Sequence, residues 1–308
     1  ELLLARPWRS PGKERWLVPY AEKALEAART RLATDWGLPP DGPVRVEILP
    51  GPEDLARLSP LSEDDVRRTG TIALCRDRKI MLVTPRALVS GYGWLDTAVH
   101  EYVHYVLEVR ARGRVPLWLH EGLARYAQER WRAPFPKTLT PLQGHLLAEA
   151  RANNAFVPMR AMMPSFAKLP SAAQASLAYA QVASMVVVFV EKHGQRGLKR
   201  LFAHLAGGGD VDSGLRKIAG VSLSGFVMQW KARLGTMKLQ RRKAYAHIGR
   251  QFQPKPGKRQ PGALPKGPVA RQRRLGAILR ARGRLAAAVV AYRRAFAASD
   301  HTDGRIAN

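Results

Sequence analysis

Apolar and polar residues alternate along Val44-Arg-Val-Glu-Ile-Leu49, the period of a half-buried strand. Thr71-Ile-Ala-Leu-Cys75 and Lys79-Ile-Met-Leu-Val-Thr84 are two more strand-like runs, and the short Arg76-Asp-Arg78 connection makes them a hairpin. Elsewhere the period is helical. A helix is predicted over Glu14–Trp36, packed on the sheet. Another follows over Leu95–Gly113, where Ala98, Tyr102 and Val106 recur on one face beside Val103 and Leu107, and Gly113 supplies a stop. Pro116 suits a first helical turn, and that helix runs to about Trp131. Further helices are predicted over Pro141–Asn153, Ala172–His193, Leu198–Leu205, Val211–Ala219 and Leu223–Leu234, with breaks at Gly194, Gly207-Gly-Gly209 and Gly220. No apolar run reaches the ~18–20 residues of a membrane span, and Ser184–Val190 reads as buried helix.

Chemistry enters with His100-Glu101-Tyr102-Val103-His104, inside the second of these helices. Positions i and i+4 share a helix face, so both imidazoles can reach one metal ion. Two neutral imidazoles with a carboxylate and a water suit zinc. Glu101, at a neighbouring angle, can take a proton from water held by such an ion. The bare pattern also fits an ordinary amphipathic helix with two histidines, so a third ligand decides. Sixteen residues separate His104 from Glu121, enough for one helix to end, for Arg112-Gly-Arg-Val115 to turn, and for a second helix to return alongside. Glu121 in its first turn would face the histidine pair, although an acid there also has a plain dipole explanation. His120 is the alternative ligand. Adjacent helical residues point about 100° apart, and the Glu-Gly-Leu-Ala context favours Glu121.

H-E-x-x-H followed by P-x-W-L-x-E-G-x-A-x-Y, at Pro116–Tyr126, resembles the gluzincin metallopeptidases and, among them, the bacterial peptidase MA-like proteins. The resemblance spans roughly Tyr20 to Leu234. It implies that His100, His104 and Glu121 bind Zn2+ and that Glu101 is the general base. Leu177-Ala-Tyr-Ala-Gln181 is similar to the Y-A-Q segment of the same group, which makes Tyr179 a candidate oxyanion donor; the alternative is a tyrosine packed on the core. It further implies an edge strand, from the hairpin over 71–84, that pairs with an extended substrate. Two departures stand out. Arg125 occupies the position where thermolysin-like enzymes carry an acid that orients a ligating histidine, which leaves Asp96 or Glu129 for that task. The G-x-M-E-N signature of the large aminopeptidases is absent, which favours an endopeptidase.

The net charge of +27 suggests a nucleic-acid binder until it is located. From Ser213 to Ser299 there are 21 basic residues and no acid, leaving 30 basic against 24 acidic residues elsewhere. Pro254–Pro268 is basic and rich in proline and glycine, a linker composition. Such a stretch can touch nucleic acid, an anionic surface or an acidic partner, but only Tyr245 and Phe252 offer stacking there, and a solvated linker is favoured. Beyond it, Leu275, Gly276, Gly283, Ala288, Tyr292 and Ala295 stand at the spacing of a tetratricopeptide repeat. Asp300 replaces the usual proline, and Asp303–Asn308 resemble the start of another repeat, so the natural chain is expected to continue. The chain opens at Glu1, not Met, so a preceding segment is expected as well. Cys75 alone forms no internal disulfide and, in a strand-like run, reads as a small buried side chain.

The expectation is an α+β protein: a gluzincin-like α/β lobe with a mixed sheet and zinc helix over 1–135, a helical lobe over 136–236, a basic linker over 237–270, and a TPR-like hairpin over 271–308. The expected activity is zinc-dependent cleavage of a peptide or protein substrate, with a protein partner at the repeats and a setting in the bacterial cell envelope. The rivals are a catalytically silent scaffold and a binder of nucleic acid or anionic surfaces.

Overall fold

The computed structural model describes residues 14–38, 43–89, 91–111, 113–132, 139–241, 267–281 and 284–299. They belong to two compact units, one comprising residues 1–84 and 94–243, the other residues 85–93 and 244–308.

In the first unit, β1 (Arg45–Leu49), β2 (Ala73–Arg76) and β3 (Lys79–Val83) form a mixed sheet in the order β1-β3-β2. β1 runs parallel to β3, with Val46 opposite Ile80, and β2 runs antiparallel, with Cys75 opposite Ile80. Ile80, Met81, Leu82 and Val83 are all buried, because the central strand is covered on both faces. The β2–β3 hairpin turns at Asp77 and Arg78, both left-handed at φ 50° and 58°. That pair of angles defines a type I′ turn, whose twist matches the flanking strands.

α1 (Val18–Trp36) packs on α4 (Trp94–Ala111), which lies on the sheet. α4 is buried on most of its circumference, polar His100 and Glu101 included. The expected helix start at Glu14 is instead a short 3-10 turn, Arg15–Leu17. α2 (Pro52–Arg57) and α3 (Glu63–Thr69) lead from β1 to β2. Periodicity did not predict them, since six or seven residues complete too few turns to show a repeat. Only their ends carry signals: the Ser62 hydroxyl accepts the Asp65 N–H at 3.0 Å, and Gly70 closes α3 at φ 68°.

α5 (Leu117–Ala127) has Pro116 as its N-cap and ends four residues before the expected Trp131. Past the helix, Trp131 Nε1–H donates to Asp96 Oδ1 at 3.0 Å and Arg132 pairs with the same oxygen, tying this segment to the start of α4. α6 (Pro141–Ala152) starts with a capping box between Thr140 and Gln143. α7 (Ala172–Ala206) joins the two helices expected over 172–205; the break falls at Gly194 (φ 63°, ψ −177°), and the helix resumes at once. The kink delivers Gln195 to both Trp36 Nε1 (3.2 Å) and Tyr126 Oη (3.0 Å), linking α1, α5 and α7. α8 (Val211–Ala219) and α9 (Leu223–Thr236) complete the unit, and one apolar core extends from Ala24 to Leu234.

By length and composition, α7 is long and apolar enough to cross a membrane, although no uninterrupted apolar run in it is. In this fold 67% of its most apolar window is buried against protein.

In the second unit, α10 (Pro268–Ala281) and α11 (Leu285–Ala297) form a helical hairpin. A Cβ at Gly276 would lie 2.7 Å from the Tyr292 ring, so glycine is what lets the helices approach. Ala288, Ala291 and Ala295 are buried. Leu275 does not fill the gap between the helices. It is 43% exposed, because it sits about 100° around α10 from Gly276. Gly283, Asp300, residues 242–266 of the linker and Asp303–Asn308 lie outside the described residues.

Candidate metal centre

α4 carries His100 and His104 one turn apart, with ring planes at 89° and centroids 4.7 Å apart. α5 brings Glu121 against them. The reason lies one residue further on, where a Cβ on Gly122 would meet the Val182 carbonyl oxygen of α7 at 2.7 Å. Glycine lets α5 seat on α7 at backbone contact and so sets the depth of Glu121. The result is a closed triangle. His100 Nε2 lies 3.1 Å from His104 Nε2, and Glu121 Oε2 lies 3.3 Å from the first and 3.4 Å from the second.

This triangle has the dimensions of a zinc site. An ion about 2.0–2.1 Å from each ligand in tetrahedral geometry separates the ligand atoms by about 3.3–3.4 Å. The site is largely buried, and Glu121 Oε2 is buried with no hydrogen-bond donor. Among the described residues these three side chains form the one group able to hold a metal ion. Burial drives His100 down to about 3, so its imidazole is neutral at physiological pH. Burial would raise Glu121, but the imidazoles of His104 and His100 outweigh it and hold the carboxyl well below its usual range. A neutral imidazole and an ionised carboxylate are the forms that bind a cation.

Glu101 is 6% exposed and turned toward the sheet. Burial pushes its carboxyl up to about 7, with His104 opposing and Glu121 assisting, and the Cys75 backbone N–H donates to it. That donor is free for a structural reason. Val83 N–H bonds Ile72 C=O at 2.8 Å, so alternation along the ladder turns the backbone of Ala73 and Cys75 away from β3, to the open edge. β2 is thus an edge strand with its outward backbone at the site. The Cys75 side chain is partly buried, and burial, then the charges of Glu101 and Glu108, raise its thiol far above the usual value.

Tyr179 stands beside His100, ring centroids 6.2 Å apart at 74°, and packs on Phe166 at 4.9 Å. The Arg125 guanidinium lies 4.1 Å over the Tyr179 ring. Gln181, two residues on, is buried and clamps Val157 through both its amide groups, at 2.7 and 3.0 Å, fixing this part of α7. The histidine-orienting roles expected of Asp96 and Glu129 are not observed. Asp96 is engaged by Trp131 and Arg132, and His100 Nδ1 is buried without a hydrogen-bond partner. His104 Nδ1 instead faces His120 Nδ1 at 2.5 Å, so neither acid reaches it. His120 is therefore a neighbour of the ligand set and not a member of the triangle. Sequence reasoning missed this contact, and it missed Arg125 on Tyr179, because helix spacing fixes where a Cα lies but not how a ring turns.

No curated protein matches the chain at a significant level. The family model of the peptidase MA superfamily matches residues 24–236, from α1 to the end of α9, and so contains the sheet, the three converging side chains and Tyr179. With more than half of its length matched, the chain belongs to the peptidase MA superfamily.

Proposed function

We propose that this chain is a zinc-dependent endopeptidase of the gluzincin type. The observation that carries the reading is the buried triangle of His100 Nε2, His104 Nε2 and Glu121 Oε2, with the Glu101 carboxyl beside it. Those three atoms would hold the ion. Bound zinc lowers the pKa of coordinated water from about 15.7 to about 7 and polarises the scissile carbonyl.

The protein's own groups do the rest. Glu101 carries the proton between nucleophile and leaving nitrogen, a contribution of about 10²–10⁴-fold in rate. The Cys75 N–H holds that carboxyl in place from the sheet edge. A substrate in extended form adds to β2 by main-chain hydrogen bonds at its outward positions, the strand-addition mode of peptide recognition. Tyr179 donates from its hydroxyl to the oxyanion. The α10–α11 hairpin, with Gly276 against Tyr292 at repeat-like spacing, serves as a protein-binding element of the tetratricopeptide type.

Metal analysis of the purified chain, paired with a casein digest, tests the reading. Wild type should hold one zinc and cleave. Glu101→Gln should keep the zinc and lose about 10²–10⁴-fold in turnover. His104→Ala should lose the metal. A Glu101→Gln protein as active as wild type refutes the mechanism, and zinc without cleavage of any peptide favours the silent scaffold.

A further inference from the structure

We propose that His120 is the positioning residue of this site: its Nδ1 accepts the Nδ1–H of His104 and fixes which nitrogen of His104 faces His100 and Glu121. The proposal rests on the metal-centre reading above for its consequence and for the choice of donor, but the hydrogen bond itself rests on geometry.

Two ring nitrogens 2.5 Å apart need one proton between them, since two bare lone pairs repel and two N–H groups collide. The proton belongs to His104. Its Nε2 points into the triangle, 3.1 Å from His100 Nε2 and 3.4 Å from Glu121 Oε2, where a ligand nitrogen must be bare. His104 is then the Nδ1–H tautomer, and His120 receives on Nδ1 and carries its own proton on Nε2. The ring arrangement agrees. The planes lie within 8° of parallel with centroids 4.6 Å apart. Parallel planes holding atoms 2.5 Å apart cannot be separated by the ~3.5–4.0 Å of a face-to-face contact. With centroids 4.6 Å apart the rings are therefore offset, edge toward edge, so that an N–H on one can be directed at the lone pair of the other.

His120 and Glu121 are consecutive residues of α5, so one helix turn supplies both the third ligand and the anchor of the second. His100 has no such anchor, because its Nδ1 is buried and unpartnered. Metal-bound histidines usually donate to a carboxylate or carbonyl; here a neutral imidazole takes that place.

The test uses two variants of the full chain. His120→Phe keeps a flat ring and removes the acceptor, while His120→Gln removes the ring and keeps an acceptor. Zinc affinity is read by competition with a chromophoric chelator, and the His104 Nδ1–H proton by nitrogen-edited NMR, with circular dichroism to verify folding. Phe should weaken zinc about 10–100-fold and abolish the downfield Nδ1–H signal, whereas Gln should stay within about threefold of wild type and retain the signal. Equal affinity in wild type and His120→Phe overturns the proposal, as does an equal loss in both variants, which would make the role one of packing. If wild type binds zinc no better than His100→Ala, the metal-centre reading fails instead. A downfield Nδ1–H signal on either His104 or His120 of the metal-free protein then still decides whether the hydrogen bond exists.

Discussion

Single residues make up the candidate site, and their legibility differs by cause. The convergence of His100 and His104 was readable because helix geometry converts sequence spacing into spatial spacing, i and i+4 sharing a face, whereas Glu121, on the next helix, was reached through the length of the intervening turn and its sequence context. Tyr179 was readable only through resemblance, and its ring stands 6.2 Å from that of His100. Arg125 over that ring was not readable, since its approach depends on α5 meeting α7. The same limit misassigned Asp96, whose carboxylate is taken by Trp131 and Arg132 from beyond α5. If the Tyr179 hydroxyl supports the oxyanion, Tyr179→Phe should lower kcat by about 10²–10³-fold, the measured worth of one such donor. Zinc content should be unchanged, because Tyr179 is not one of the three converging side chains of the proposed metal site. Steady-state kinetics with a quenched fluorescent peptide would check both kcat and KM, and a kcat within twofold of wild type, about 0.4 kcal/mol, would remove the role.

At the level of elements, the long helices and the hairpin followed from period alone, because each repeats its apolar pattern often enough to be counted. α2 and α3 did not, and α5 ended early because a tertiary bond to Asp96 competes with helix continuation. The most consequential inter-element contact is that of α5 with α7 through Gly122. A methyl group there meets a backbone carbonyl, which cannot turn aside as a side chain would. Gly122→Ala should therefore push α5 outward at a cost of about 1–3 kcal/mol. For the matched length of chain this lowers Tm by about 2–4 °C per kcal/mol. Because Glu121 moves with the helix, zinc affinity should fall in parallel. Thermal unfolding with and without added zinc would show both effects, and a Gly122→Ala protein as stable as wild type would mean that the helices meet less closely.

For the molecule as a whole, composition was misleading until it was mapped. Residues 244–308 hold 14 basic and 2 acidic residues, a net +12 of the total +27, so nearly half of the imbalance lies outside the unit that bears the candidate site. On the proposed function, a chain ending at Lys243 should bind zinc and cleave peptide within about threefold of the full chain, since no side chain of the proposed metal site or core residue of that unit is lost. Its retention on heparin should weaken, with a shallower salt dependence, because fewer cations are left to displace counterions. Elution at unchanged ionic strength would mean that residues 244–308 make no contact with the anionic matrix. The mixed sheet and helical remainder were expected, whereas the second unit could be followed only in part, at Gly276, Ala288, Tyr292 and Ala295.

The kinked α7 has a consequence of its own. Its apolar stretch is concealed only by the surrounding helices, and it would be among the longest greasy segments released when they separate. An opened chain would then be sticky, and heat denaturation would end in aggregates before refolding could occur. The practical lifetime of this protein is thus governed by how slowly that helix is uncovered, a kinetic barrier in place of an equilibrium.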